Sequence, residues 1–426
     1  MHQNTRTPEH PLKEGTPLQS TGALVSGALV LQELEELRER GLYRKLRTLS
    51  VLRGTHAFLD GRELVLFCGN DYLGLSQHPR VIEAAKQALD RYGAGAGAAR
   101  LISGTSELHS QLESELARFK RKERALVFGS GYLTNLGVLS ALAGEKDLVV
   151  MDKLSHASLI DGARLSGATL RAFPHKNYSK CEEILEGRGG FKTRPYRRRI
   201  LVSDSVFSME GDSADLETLA RIKEKYDCIL VIDDAHGFGV FGETGRGMTE
   251  GFEEKIDVIV ATLSKALGVF GGFAAASSTF IEYFLNVSRP FIFATAPPPA
   301  LASASLEALR LITEDSTFRA RLWHNVDCVR DFLESQGLRS ERKSPIFPIV
   351  LGNETRTVEI AEKLLTRGIL IPGVRYPSVP KGKARLRLTV SAAHSKEDLE
   401  KLFRAFSAVL DRHCEAAIQA KPKQSL

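Results

Sequence analysis

Five short, continuous apolar runs constrain this chain more than any other feature. They are ALVFG (125–129), DLVVMD (147–152), RILVSD (199–204), CILVID (228–233) and VIVATL (258–263). Such runs are typical of strands that are buried on both faces, and helical stretches alternate with them. The pattern predicts an α/β fold around a mostly parallel sheet. In such sheets ligands bind at the carboxyl ends of the strands.

The length of 426 residues is sufficient for two domains. The sequence predicts a disordered extension (1–25), an N-terminal arm (26–74), a large domain (75–304), a smaller C-terminal α/β domain (305–412) and a tail (413–426). In the arm, leucines at helical spacing indicate an amphipathic helix over 30–48. Asp60 and Gly61 indicate the turn of a hairpin. A long helical stretch is expected from Ala300 to about Gly337.

Charge and composition argue against several classes of protein. The formal net charge of +6 comes from scattered basic residues, apart from short runs at 120–122 and 197–199. An aromatic-and-basic nucleic-acid module is absent from the sequence. The apolar run 22–31 precedes acidic residues, which indicates the start of a helix rather than a signal peptide. No apolar run reaches the roughly 20 residues that span a membrane.

The cysteines indicate neither disulfides nor a metal site. Their number is odd, their spacing is irregular and no C-x-x-C occurs. The five are Cys68, Cys181, Cys228, Cys328 and Cys414. A reducing cytoplasm fits this usage best.

Polar residues follow the first four runs, where a ligand is expected. Gly131 and Tyr132 follow the first run, and a strand-to-helix turn there could hold a phosphate or be only a turn; a dinucleotide fingerprint would need glycine where Thr134 stands. His156 and Ser208 follow the second and third runs, and each alone is more often structural. Asp233 and His236 end the fourth run. A metal there would need a third ligand, and none is evident.

Lys265 follows the fifth run directly. Burial there would lower the pKa of the amine and make it nucleophilic, although a lysine in this place can also extend to solvent. Asp233 precedes it by 32 residues, also at a strand end. This combination favours pyridoxal 5′-phosphate (PLP), which needs a carboxylate at its pyridine nitrogen, an amine for its aldehyde and a cup for its phosphate.

Six motifs carry a resemblance to a known family. They are NDYLGLS (70–76), SHASLIDGARLSGA (155–168), FSMEGD (207–212), DDAHGFGVFGETGRG (233–247), TLSKALG (262–268) and RLRLTVSAAH (385–394). Together they resemble the α-oxoamine synthases, which are fold-type I PLP enzymes. These enzymes condense an amino acid with an acyl thioester and release CO2. The resemblance covers about residues 30–412.

The resemblance implies a role for each matching residue. Lys265 would hold PLP as a Schiff base, Asp233 would pair with the pyridine nitrogen, and His156 would stack on the ring. The remaining cofactor contacts would come from Gly131, Tyr132, Ser208, His236, Thr262 and, toward the cofactor of a neighbouring subunit, Thr295. Substrate contacts would come from Arg44, Asn70, His156, Arg375, Ser378 and Arg387. The use of Thr295 implies a homodimer with shared active sites.

The resemblance indicates the substrates less directly than the cofactor. DDAHG and GETGRG resemble the members of the family that use L-alanine, with a thioester of coenzyme A or of an acyl carrier protein. The segment VRYPSVP (374–380) departs from their pattern at Tyr376 and Ser378, which leaves the acyl group open. A sister synthase that uses glycine or serine, an aminotransferase and a non-enzymatic homologue remain as alternatives.

Overall fold

The computed structural model describes residues 24–40, 42–188, 196–338 and 344–409. The chain divides into two compact units, residues 1–48 and residues 49–426. The predicted extension up to residue 23, the predicted tail from residue 413 and Cys414 lie outside the described residues.

The first unit contains helix α1 (Leu24–Glu39). The helix predicted over 30–48 is therefore wrong beyond Glu39, because residues 42–48 have no regular structure, and Leu46 is 99% exposed. The sequence places Gly41 just after the end of α1, and glycine costs roughly 1 kcal/mol in a helix interior. Leucine spacing alone did not reveal this end.

The second unit begins with an antiparallel meander. Its strands are β1 (Ser50–Arg53), β2 (His56–Leu59) and β3 (Arg62–Leu66), and β12 (Ile369–Leu370) pairs in parallel with β3. The hairpin predicted at Asp60 and Gly61 is confirmed by the pairing of β2 with β3. Both turn residues have positive φ, 51° and 76°, which aspartate and glycine tolerate.

A seven-stranded sheet forms the centre of the second unit. Its strands are β4 (Arg124–Phe128), β5 (Leu148–Asp152), β6 (Thr169–Phe173), β7 (Arg199–Asp204), β8 (Ile229–Asp233), β9 (Val258–Thr262) and β10 (Gly272–Ala276). The spatial order is β4-β10-β9-β8-β7-β5-β6. Strands β5 to β9 are parallel, and β10 is antiparallel to both of its neighbours. The five predicted runs and the mostly parallel sheet are confirmed. The alanine-rich β10 was missed because alanine has a low strand propensity.

Helices surround this sheet. They are α2 (Pro79–Tyr92), α3 (Glu107–Phe119), α4 (Gly131–Leu142), α5 (Ala157–Leu165), α6 (Tyr178–Leu185), α7 (Leu216–Tyr226), α8 (Ser278–Val287), the single turn α9 (Arg289–Ile292), α10 (Pro299–Glu314) and α11 (Thr317–Ser335). The helical stretch predicted from Ala300 to about Gly337 is confirmed, and it consists of two separate helices, α10 and α11. Asp315 interrupts them: its carboxylate accepts a hydrogen bond from the Thr317 N–H at 2.8 Å, as a residue before a new helix does.

The C-terminal part holds a three-stranded sheet in the order β11-β14-β13. Its elements are β11 (Ile346–Gly352), α12 (Glu354–Leu365), β13 (Gly373–Val374), β14 (Ala384–Thr389) and α13 (Lys396–Val409). The proposed division at residue 305 stays a prediction. Of the helices described, none combines the length and apolar character that a membrane crossing requires.

Close packing explains why the NDYLGLS motif has a glycine at position 74. Gly74 has φ of 71°, and a Cβ there would lie 2.7 Å from the Cβ of Ala393. Gly268, just after Lys265, has φ of 68°, and a Cβ there would lie 2.3 Å from the backbone nitrogen of Ser76. Three distant segments therefore meet at two glycines. This contact brings the Lys265 loop and the C-terminal sheet to the same place.

Candidate active site

The carboxyl edge of the central sheet collects the residues that the sequence singled out. Asp204 ends β7 and lies opposite Asp233, which ends the adjacent β8. Lys265 follows β9, the next strand in the sheet. Among the described residues, no cluster of side chains suits a metal ion. The site is therefore built from two carboxylates, an amine and the groups around them.

Lys265 is held as a reactive amine. Desolvation by the surrounding protein lowers the pKa of the Lys265 ammonium to about 8. The negative charges of Asp233 and Asp204 oppose this shift, and the positive charge of Arg387 adds to it. An amine with such a pKa is partly neutral near pH 8 and can attack a carbonyl carbon.

Asp233 is buried and tightly held. Its Oδ2 accepts a hydrogen bond from the Asn135 side chain at 2.6 Å, and its Oδ1 accepts one from the Ala235 N–H at 3.0 Å. Burial, and then the charge of Asp233, raise the pKa of Asp204 well above its usual range. Two adjacent buried carboxylates cannot both ionise easily. We therefore expect Asp204 to carry a proton.

His156, an exposed residue, is next to the pair of Asp204 and Asp233. Its Nδ1 accepts from the Ser158 N–H at 3.3 Å and lies 2.6 Å from the Ser158 hydroxyl. Asn135 donates to the same hydroxyl at 2.9 Å, so it links His156 to Asp233. Desolvation by the surrounding protein lowers the pKa of His156, although the negative charge of Asp233 opposes this shift. His156 is thus a neutral ring at neutral pH, with Nδ1 as acceptor and Nε2 protonated.

His236 belongs to a buried polar chain. Its Nδ1 lies 2.7 Å from the Tyr72 hydroxyl, which lies 3.3 Å from Oδ1 of Asn70. Arg387 donates to that Oδ1 from both terminal nitrogens, each at 3.3 Å, and from Nε to the Ser208 carbonyl at 2.7 Å. The structure therefore brings together four predicted residues, namely His236, Asn70, Arg387 and Ser208.

The turn between β4 and α4 contains Gly131 and Tyr132, which were predicted to bind a phosphate. The Ser130 hydroxyl accepts from the Leu133 N–H at 3.2 Å and caps α4. Gly131 and Tyr132 follow in the first turn, where backbone N–H groups have no intrahelical partner. A Cβ on Gly131 would lie 3.1 Å from the Cβ of Thr262, so Thr262 is beside this turn. Ser264, which the sequence analysis did not select, lies 2.7 Å from Thr262 between the hydroxyl oxygens.

An ion-pair network holds the loop that carries Ser208. His175 approaches Asp152 with Nδ1 at 3.0 Å and Asp212 with Nε2 at 3.1 Å. Its ring also packs edge-on against Phe207, with centroids 4.5 Å apart. Burial lowers the pKa of His175, but the hydrogen bonds to the two carboxylates outweigh burial and raise the pKa to about 9.

We expect His175→Gln to destabilise the protein in a pH-dependent way. The folded state binds the His175 proton more tightly than the unfolded chain, so its contribution to stability is complete below about pH 6.5. That contribution falls as the pH rises toward 9. The free energy of unfolding should drop by roughly 1–3 kcal/mol at pH 6. Urea unfolding of both proteins from pH 6 to 10 measures the difference, and a constant difference would contradict the assignment.

A second ion pair lies under the DDAHG segment and is fully buried. Lys120 donates to Oδ2 of Asp234 at 2.9 Å, to the Thr249 hydroxyl at 2.6 Å and to the Arg246 carbonyl. The Ser205 hydroxyl donates to Oδ1 of Asp234 at 2.6 Å. Both charged side chains have 0% exposure. Asp234 therefore fixes the backbone between Asp233 and His236.

Four other predicted residues lie on different segments of the chain. Thr295 is exposed and pairs with Ala99 in an isolated bridge, and its predicted role involves a second subunit. Arg375 and Ser378 lie in a turn closed by the Ser378 N–H and the Arg375 carbonyl at 3.0 Å. Arg44 belongs to the first unit. The predicted roles of these four residues stay predictions.

Three residues of the site were missed by the sequence analysis. Asn135, Asp204 and Tyr72 hydrogen-bond to predicted residues. Asp204 ends one of the five runs, which was a usable signal. Asn135 is one polar residue within α4, and Tyr72 resembles any buried aromatic residue. The sequence gives no local signal for either.

The fold and the site together define the class of this protein. The family described as aminotransferase class I and II matches residues 62–406. The chain belongs to this family.

Individual relatives are more specific. The 8-amino-7-oxononanoate synthase of Thermoanaerobacter pseudethanolicus is 42% identical over 383 residues, which are 89% of this chain and 96% of that one. A solved serine palmitoyltransferase of Sphingomonas wittichii has a TM-score of 0.85 at 31% identity, over 93% of this chain and 100% of that one. The solved 8-amino-7-oxononanoate synthase of Francisella tularensis has a TM-score of 0.69 at 29% identity, over 81% of this chain and 97% of that one.

Proposed function

We propose that this chain is an acyltransferase that condenses L-alanine with a pimeloyl thioester, forming 8-amino-7-oxononanoate, CO2 and a free thiol in biotin biosynthesis. The observation that carries the proposal is Lys265, which follows β9 next to the strand β8 that ends at Asp233, in a chain 42% identical to an 8-amino-7-oxononanoate synthase. The solved serine palmitoyltransferase has a higher TM-score than the solved 8-amino-7-oxononanoate synthase. We give the sequence identity more weight, because one fold hosts several activities.

The side chains present fit PLP. The buried Asp233 carboxylate can accept a hydrogen bond from a pyridinium N–H. The Lys265 amine can bond to the aldehyde carbon, and the first turn of α4 can bind the phosphate. Gly272 tightens this phosphate turn, because a Cβ there would lie 2.6 Å from the Gly131 nitrogen. When bound, PLP supplies a pyridinium ring that withdraws electrons from the bond being broken.

Each residue of the site then has a task. Lys265 would hold PLP through its amine, and as a free amine it would move the α-proton of the amino acid. Asp233 would pair with the pyridine nitrogen, while Asn135 fixes its carboxylate. His156 presents a protonated Nε2 that can donate to the thioester oxygen as negative charge develops there. Asn70 and Arg387 bind the carboxylate of the amino acid.

The test is the choice of amino acid and of thioester. Purified protein with PLP receives L-alanine, glycine or L-serine, each with pimeloyl-CoA or palmitoyl-CoA. Released thiol is measured with a chromogenic disulfide, and the product is identified by mass. We expect 8-amino-7-oxononanoate from L-alanine and pimeloyl-CoA.

A sister synthase is the second candidate, and the serine palmitoyltransferase likeness favours it. Product from L-serine and palmitoyl-CoA, with none from L-alanine, would overturn the proposal in favour of this candidate. Transfer of the amino group to a keto acid without thiol release would indicate an aminotransferase. The same assay with a pimeloyl carrier protein decides between the two thioesters.

The proposal includes a homodimer in the cytoplasm. A dimer is supported by the exposure of Thr295, because this residue would serve the cofactor of the other subunit. A reducing compartment is supported by the described cysteines, among which the structure has no disulfide. Sedimentation of the purified protein measures the oligomeric state, and complementation between inactive Lys265→Ala and Thr295 variants would test whether the sites are shared.

A further inference from the structure

Tyr72 is a fully buried tyrosine whose hydroxyl lies between two functional residues. Its ring has 0% exposure, and its oxygen is 2.7 Å from Nδ1 of His236 and 3.3 Å from Oδ1 of Asn70. Burial raises the pKa of Tyr72 to about 12. The hydroxyl therefore keeps its single proton at neutral pH, and the direction in which it donates that proton matters.

His236 also has a single ring proton. Burial, and then the positive charges of Lys265 and Arg387, hold the pKa of His236 well below its usual range. The imidazole is neutral, so one ring nitrogen donates and the other accepts. Two arrangements are possible: Tyr72 donates to Nδ1, or Nδ1 donates to Tyr72 while Tyr72 donates to Asn70.

The contacts of Asn70 decide between them. Both terminal nitrogens of Arg387 donate to Oδ1 of Asn70, each at 3.3 Å. Because a guanidinium only donates, the Asn70 atom that faces it is the oxygen. That oxygen has two lone pairs, and the two charged donors occupy both. The Tyr72 proton therefore goes to Nδ1 of His236, which is also the shorter contact.

We propose that Tyr72 is a positioning residue that fixes His236 in the tautomer with the proton on Nε2, so that this N–H donates to the phenolic oxygen of bound PLP. The proposal rests on the proposed function, because PLP supplies that oxygen. Within the part of the chain that the structure describes, Nε2 of His236 has no hydrogen-bond partner, which leaves it available to the pocket.

The same chain of contacts reaches the substrate carboxylate. Asn70 and Arg387 are the residues proposed to bind that carboxylate, and Tyr72 joins them to His236. The tyrosine thus lies between the group that recognises the amino acid and the group that faces the cofactor. A phenylalanine at this position would keep the packing and remove only the proton donor.

The first experiment is a spectrophotometric pH titration of the PLP-loaded protein with Tyr72→Phe. A donor to the phenolic oxygen stabilises the less protonated form of the bound cofactor. Its loss should therefore raise the pKa of the visible absorbance change, which corresponds to a roughly tenfold higher proton affinity. The matched control is Tyr178→Phe on α6, which removes a hydroxyl that accepts from the Asp215 N–H at 2.8 Å, and it should titrate as the parent protein does.

A double-mutant cycle tests whether Tyr72 acts through His236. If it does, Tyr72→Phe should change the titration of a His236→Asn protein by less than twofold. A purely structural role would lower the unfolding temperature of Tyr72→Phe and leave the titration unchanged. That outcome, or equal shifts in both backgrounds, would overturn the proposal.

A measurement on the unmutated protein makes the inference independent of how the variant folds. Solid-state NMR of the 15N-histidine-labelled protein, with His236→Asn for assignment, reports which ring nitrogen is protonated. A protonated Nε2 is expected, and a protonated Nδ1 would overturn the proposal. If the protein did not bind PLP, the proposed function would fail, while the NMR spectrum would still decide the tautomer.

Discussion

Replacing Lys265 with alanine will remove the visible absorbance of covalently attached PLP and lower turnover by more than roughly a thousandfold. The lysine is the nucleophile for the aldehyde and the base for the α-proton, and the variant has no amine in its place. The absorbance spectrum after dialysis measures attachment, and thiol release measures turnover. PLP should still bind reversibly, because Asp233 and the first turn of α4 remain.

Lys146→Ala is the matched control for this variant. Lys146 is an exposed lysine in the loop before β5, and its loss should leave both the spectrum and the rate near those of the parent protein. A retained band after dialysis of Lys265→Ala would mean that another amine holds PLP. The assignment of Lys265 would then be wrong.

Replacing Lys120 with methionine will lower the free energy of unfolding by about 3–5 kcal/mol. The methionine fills a similar volume, but it leaves the Asp234 carboxylate buried with hydroxyl and backbone donors and no cation. The protein can relieve this charge only by protonating Asp234 or by opening the segment 233–236. Urea unfolding and the apparent Tm measure the loss, and PLP affinity should fall with it because Asp233 and His236 lie on that segment.

An exposed ion pair provides the control for Lys120→Met. Lys255 approaches Glu217 at 3.0 Å, with 42% and 68% of their side chains exposed. Solvent screening reduces such a pair to about 1 kcal/mol or less, so Lys255→Met should change stability little. If the two variants were equally stable, the buried pair would contribute nothing, and the interpretation of Asp234 as an anchor would be wrong.

The strands of the central sheet could be predicted because each is a local pattern. A strand buried on both faces needs a continuous apolar run, and five such runs identified β4, β5, β7, β8 and β9. The polar residues at their ends were predictable for the same reason. The end of α1 and the break between α10 and α11 were not predictable in this way, because apolar residues continue beyond each of them.

Lys120 shows the opposite case. It stands in the basic run 120–122, which in sequence looks like any solvated cluster, yet the structure buries it against Asp234. A lysine is stable there only because Asp234, Thr249 and the Arg246 carbonyl meet its ammonium. Their sequence separations from Lys120 exceed 100 residues, so no local pattern could report the contact.

The sequence by itself determined five strands of the central sheet, the residues that follow them and, through six motifs, the family. These properties are local, because propensity and apolar periodicity depend on neighbouring residues. Only the tertiary structure decided which side chains support the predicted ones. Asn135 on Asp233, Tyr72 on His236 and Lys120 on Asp234 are hydrogen bonds between distant segments, and their geometry exists only once the sheet and its helices have packed.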